Sequence, residues 1–144
     1  MAAFWDASAV VHLCVPSQAS RAARTLLSEH PLVMWWGTFV EVRSALARLS
    51  REGALSSSAL RASLDRLAML ADTSREIQPG DAVRQLAVEQ LDRFPLRAGD
   101  ALQLGAALVW SKHKPKGRLF VCYDTRLSAA AREMGFAVVE NGFR

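Results

Sequence analysis

The chain has 144 residues, 51% of them hydrophobic and 22% charged, which suffices for one compact domain with a substantial core and leaves too little for a second. Apolar residues run through every segment and no low-complexity or Pro/Gly/Ser-rich linker interrupts them, so a disordered chain is excluded and a single domain over residues 1–144 is predicted. A formal charge of +4 and a pI near 9.7 favour an anionic partner without requiring one. Cys14 and Cys122 lie in apolar runs, and no stretch has the pattern of a cleavable signal or the length of a membrane span. The expectation is a cytoplasmic protein without membrane contact, both thiols reduced and buried.

Residues 2–5 are short, apolar and followed at once by Asp6-Ala7-Ser8, the pattern of a buried strand running into a helix start. Helices are predicted over 8–15 and 17–29, separated by Pro16, with Ala22, Ala23, Leu26 and Leu27 giving the second an apolar face. Residues 32–36 read as the next strand. Thr38-Phe39-Val40-Glu41 fits the S/T-x-x-E capping box and opens a helix with Val42, Ala45, Leu46 and Leu49 on one side, ended at Gly53. Ser56-Ser57-Ser58 starts another, with Leu60, Leu64, Leu67 and Leu70 at helical spacing. Residues 75–78 form a short strand before Pro79-Gly80, and 81–94 are helical again. After Pro95 and Gly99 a helix begins near Asp100 that is apolar around most of its circumference, hence central. Residues 118–123 are β-formers ending at Asp124, 125–134 are helical with Gly135 as C-terminal cap, and 136–139 close as a strand. Short strands alternating with helices predict an α/β layer structure with a parallel sheet, whose ligands gather beyond the C-terminal strand ends where strand order reverses.

Four acids point to that edge. Asp6 and Asp124 end apolar strands, while Glu41 and Asp100 sit in the first turns of helices. If the first strand neighbours the one before Asp124, Asp6 and Asp124 flank the switch point. Each acid also has a plainer role: Asp6 and Asp124 as helix N-caps, Glu41 as the capping-box partner of Thr38, Asp100 as a first-turn acid facing the helix dipole. None of these roles predicts that all four share one edge. Carboxylates gathered in one pocket repel unless a cation neutralises them, and oxygen-only ligands select a hard ion, Mg²⁺ or Mn²⁺. No His/Cys cluster with zinc-like spacing competes. On a phosphodiester such an ion orients a water, lowers its pKa and stabilises the leaving oxygen.

Phe4-Trp5-Asp6-Ala7-Ser8-Ala9-Val10-Val11, Thr38-x-x-Glu41, Leu96-Arg97-Ala98-Gly99-Asp100-Ala101-Leu102-Gln103-Leu104 and Phe120-Val121-Cys122-Tyr123-Asp124-Thr125-Arg126-Leu127 through Gly135-Phe136 together resemble PIN-domain proteins, most closely the VapC-type toxins of bacterial toxin–antitoxin pairs. The resemblance covers essentially the whole chain. It implies a PIN-like three-layer sandwich, a central parallel sheet flanked by helices, and Mg²⁺- or Mn²⁺-dependent endoribonuclease activity on RNA. It also implies a cognate antitoxin partner whose C-terminal segment packs against the toxin. Metal and catalytic positions map onto Asp6, Glu41, Asp100 and Asp124, and the hydroxyl two residues after the first acid is Ser8. Some PIN domains carry another acid shortly after the fourth; here Thr125 and Arg126 follow instead, which leaves a four-acid site.

Lys112-His113-Lys114-Pro115-Lys116 with Arg118 is the densest basic run, but it is expected at the sheet edge opposite the acids and reads as a solvated loop. Arg97 is the better phosphate-contact candidate. Trp35 and Trp36 are both assigned to the core, His12 to a packed helix position and His30 to a loop. The apolar helices between residues 17 and 70 exceed what one sheet face covers, which predicts a homodimer and a groove for an antitoxin segment. Two rivals remain: a non-catalytic PIN-like module that binds RNA or protein, and a hydrolase with Asp6 as nucleophile, whose D-x-D signature would need an acid where Ser8 stands.

Overall fold

The structure, a computed structural model, describes residues 1–140; residues 141–144 of the predicted domain lie outside the described part. The elements are β1 (Ala3–Trp5), α1 (Ala7–Cys14), α2 (Ser20–Glu29), β2 (Leu32–Trp35), α3 (Thr38–Arg51), α4 (Ser57–Thr73), β3 (Arg75–Ile77), α5 (Asp81–Arg93), α6 (Ala98–Trp110), β4 (Leu119–Val121), α7 (Thr125–Met134) and β5 (Ala137–Val139). The strands form one sheet in the order β3-β2-β1-β4-β5, with every pairing parallel. Parallel neighbours need crossovers, and the intervening helices supply them.

Side-chain alternation along the strands divides the core into two layers. Ala3 and Trp5 of β1, Leu32 and Met34 of β2, and Val121 of β4 face one side, against α1, α3 and α4. Phe4, Val33, Trp35 and Phe120 face the other, against α5, α6 and α7. Because helices cover both faces, the central strands are apolar throughout instead of alternating with polar residues. The result is the three-layer α/β sandwich that the sequence predicts. Among the described residues, no helix is long and apolar enough to cross a membrane.

Several boundaries differ from the sequence reading, each for a local reason. Asp6 is the N-cap of α1, accepting from the Ser8 N–H at 3.1 Å, so the helix begins at Ala7. Helix α2 starts at Ser20, whose hydroxyl donates to the Val15 carbonyl and holds the intervening turn. The capping box at Thr38 does not form: Gly37 is the N-cap, without a side-chain hydrogen bond, and Thr38 is already helical and fully buried. Helix α6 begins at Ala98, which takes Gly99 into its first turn. Strand β2 stops at Trp35, and Trp36 stands 49% exposed, not in the core. Cys14 and Cys122 are free and buried, as expected. The leucines that suggested self-association are occupied within the chain: Leu46, Leu67 and Leu70 are buried, with Leu26, Leu27, Leu49, Leu60 and Leu64 packed against them. The homodimer is thereby left without its sequence motive.

Helix α6 lies against α5 at Gly105, where an added Cβ would stand 2.8 Å from the Val83 carbonyl oxygen and 3.0 Å from the Ala87 nitrogen. Both are backbone atoms of one helix and cannot swing aside. Gly105→Ala is therefore expected to destabilise the fold by about 1–3 kcal/mol, the usual cost of overpacking. A lower urea midpoint at unchanged m-value would show it, and an unchanged midpoint would contradict the close approach.

Candidate active site

Strand order reverses between β1 and β4, and Asp6 and Asp124 follow the C-terminal ends of these two neighbours. The crevice there is a cavity of about 510 Å³ lined by Glu41, Arg97, Asp100, Asp124, Thr125 and Arg126. Asp6, 3% exposed, lies within electrostatic range of Glu41 and Asp100. The structure thus brings all four acids to one end of the sheet, three on the cavity wall and Asp6 buried beside them.

Three of the acids are fixed through one oxygen. Asp6 Oδ2 accepts from the Ser8 N–H at 3.1 Å, the Ser8 hydroxyl at 2.5 Å and the Cys122 thiol at 3.6 Å. The Ser8 hydroxyl oxygen in turn accepts from the Tyr123 N–H at 2.9 Å, which ties β1's end to β4's. Glu41 Oε1 accepts from Gln103 Nε2 at 2.9 Å, and the same amide nitrogen donates to the Thr38 hydroxyl at 2.8 Å. Asp124 Oδ1 accepts from the Leu127 N–H at 2.8 Å as the N-cap of α7. The second oxygens of these three carboxyls make no hydrogen bond among the described residues. Asp6 and Asp124 therefore cap their helices while standing with the other acids at this end of the sheet, whereas Glu41 is anchored by α6 instead of by a capping box.

Among the described residues no cationic side chain forms an ion pair with Asp6 or Glu41, and both carboxyls are raised. Burial raises the Asp6 carboxyl above the usual range against the hydrogen bonds from Ser8, and the Asp100 charge adds to the rise. Burial likewise pushes Glu41 up to about 7, helped by Asp6 and Asp100 and opposed by Gln103. Asp100 is raised by burial and by the Asp124 charge, while the Arg97 backbone N–H and the charges of Arg97 and Arg126 pull the other way.

Gln103 and Arg126 belong to the site and were not singled out from sequence. Gln103 occupies a position that reads simply as part of the apolar helix, though a fully buried glutamine must spend its amide on a partner. Arg97 lines the cavity, as anticipated. The basic run lies at the opposite sheet edge, before β4, with the Arg118 guanidinium over the Trp110 ring at 4.2 Å. His12 is half-buried, its ring 5.0 Å from that of Tyr123 and its Nδ1 2.8 Å from the Ser17 hydroxyl, outside the acidic group.

Neither a protein-family model nor a curated protein sequence matches the chain. Solved structures do. A toxin–antitoxin complex from Klebsiella pneumoniae superposes with a TM-score of 0.65 at 17% identity, covering 97% of this chain and 98% of that one. A Pyrobaculum aerophilum protein gives 0.64 at 22% identity, covering 98% and 84%. FitAcB from Neisseria gonorrhoeae gives 0.65 at 16% identity, covering 96% of each. The likeness spans the whole sandwich, and the fold is PIN-like.

The raised carboxyls give stability a defined pH dependence. Glu41 titrates near 7 when folded and near its ordinary 4.5 when unfolded, so its contribution is complete below about 4.5 and is lost as pH rises through about 7. Asp6 and Asp100, also raised, act in the same direction. In EDTA the melting temperature should fall between pH 5 and 8, and Glu41→Gln should flatten that fall. A Glu41→Gln curve parallel to the wild type would remove Glu41 from the charge cluster.

Proposed function

We propose that this chain is a Mg²⁺- or Mn²⁺-dependent endoribonuclease and the toxin half of a toxin–antitoxin pair acting in the cytoplasm, inhibited by a cognate antitoxin. The observation that carries the reading is the convergence of Asp6, Glu41, Asp100 and Asp124 at the switch point of a parallel sheet, with arginines on the same cavity. The toxin–antitoxin part is supported by the whole-chain likeness to the Klebsiella pneumoniae complex.

The donor set fits a hard divalent cation. All four groups are carboxyls, and three of them hold one oxygen fixed and one free. Among the described residues no three His, Cys, Asp or Glu side chains are close enough to enclose an ion unaided. Mg²⁺ commonly keeps several of its waters and takes only one or two carboxylates directly, so an all-carboxylate donor set is compatible with it. When bound, the ion would supply a water of lowered pKa and a positive charge against the leaving oxygen. The chain's own part is positioning. Ser8 and Cys122 hold Asp6, Gln103 turns Glu41 toward the cavity, and the first turns of α6 and α7 present Asp100 and Asp124.

RNA cleavage by the purified protein should appear with Mg²⁺ or Mn²⁺ and vanish in EDTA. Asp6→Asn and Asp100→Asn should each lower the rate by about 100- to 1000-fold, the scale for removing one key electrostatic group, with the circular dichroism spectrum unchanged. Asp124→Asn keeps an N-cap oxygen for Leu127, so it should fold at least as well as the wild type in EDTA and gain less thermal stability from added Mg²⁺. A folded Asp6→Asn protein cleaving at the wild-type rate would defeat the proposal. Absence of cleavage with every divalent ion would leave a non-catalytic binding module.

A further inference from the structure

Arg97 and Arg126 are the charged residues lining the cavity that a four-carboxylate site does not use. They come from different elements: Arg97 is the N-cap of α6, and Arg126 is in the first turn of α7. Both are exposed, yet both guanidiniums come within electrostatic range of Asp100. Among the described residues neither forms a salt bridge, although carboxylates line the same cavity; the pairs that do form are Arg84 with Asp81 and Arg132 with Glu140. Two guanidiniums with free donors at the mouth of one cavity present planar forks matched to phosphate oxygens. The N-terminal ends of α6 and α7 open on the same cavity and add positive partial charge there.

We infer that Arg97 and Arg126 form a phosphate clamp that grips the backbone of single-stranded RNA at the acidic cavity. The identity of the polyanion rests on the ribonuclease reading; the clamp itself rests on the two unpaired guanidiniums. A strand held from two helices passes over Asp100 and Asp124, where hydrolysis would occur, and the arginines offset the repulsion that carboxylates alone would exert on an incoming phosphate. The basic run is the competing grip. It stands at the far sheet edge, and Arg118 there already lies over Trp110, so RNA held by that run would not reach the acids.

The test is the salt dependence of RNA binding, read by fluorescence anisotropy of a labelled single-stranded oligoribonucleotide in EDTA, where metal-dependent cleavage cannot consume the probe. Every phosphate that is no longer neutralised should reduce the slope of log K against log salt by about 0.7, so Arg97→Gln and Arg126→Gln should each lower it by that much and the double variant by about 1.4. Arg126→Lys should keep the slope while weakening binding, because the charge stays and the fork is absent. Lys114→Gln/Lys116→Gln should leave both slope and affinity unchanged. A wild-type slope in the double arginine variant, a reduced slope in the lysine variant, or no RNA binding by the wild type would each overturn the clamp. Arginine-dependent binding without cleavage at any divalent ion would preserve the clamp and defeat the nuclease reading. Cleavage by the double variant at wild-type KM would do the reverse.

Discussion

Everything at the acidic cavity depends on keeping a carboxyl buried at the end of the central strand with, among the described residues, no cationic side chain paired to it. Asp6 is 3% exposed, and an isolated buried carboxylate is costly enough that it protonates unless donors or charges hold it. The chain supplies three neutral donors, the Ser8 N–H, the Ser8 hydroxyl and the Cys122 thiol, all on Oδ2. Ser8 thereby serves two strands, since its hydroxyl donates to Asp6 after β1 and accepts from the Tyr123 N–H after β4. Losing that hydroxyl would disturb the acid and the strand-end hydrogen bond together.

The parallel sheet makes such an arrangement available. Its central strands are buried on both faces, so polar groups are displaced from them to their ends. At the C-terminal ends the following helices begin, and each helix start brings unpaired N–H groups that a carboxylate can cap. Asp124 satisfies one of these with a single oxygen, leaving the other for the cavity. The same side chain thus caps a helix and lines the cavity. Glu41 takes another route, through Gln103 on α6, so the hydrogen bonds that join α6 to the start of α3 also set the position of an acid.

The strands, the parallel layering and the shared edge of the four acids were legible because each rests on a local signal: apolar runs, helix periodicity, an acid directly after a strand. The adjacency of β1 and β4 was legible only as a condition, since strand order is a tertiary fact. Thr38-x-x-Glu41 misled because its spacing matches a capping box while tertiary packing sends both side chains to Gln103 instead. Trp36 misled because adjacent residues at a strand end diverge, and only Trp35 could turn inward. Arg126 passed as the mere absence of an acid. Its importance appears when α7 is placed beside α6, which periodicity cannot reveal.

Charge balance at the cavity connects these observations. Among the described residues the four carboxyls are opposed there by the guanidiniums of Arg97 and Arg126, so with every one of these groups ionised two negative charges are in surplus. Burial is the main cause of the raised protonation of Asp6, Glu41 and Asp100, and the neighbouring carboxylates add to it. A further acid shortly after Asp124 would deepen the surplus; Arg126 instead supplies a fixed positive charge on the chain itself. That charge needs no ion in solution, and among the described residues its guanidinium forms no salt bridge. Part of the carboxylate charge at the cavity is therefore offset by the chain's own side chains, because both guanidiniums lie within electrostatic range of Asp100.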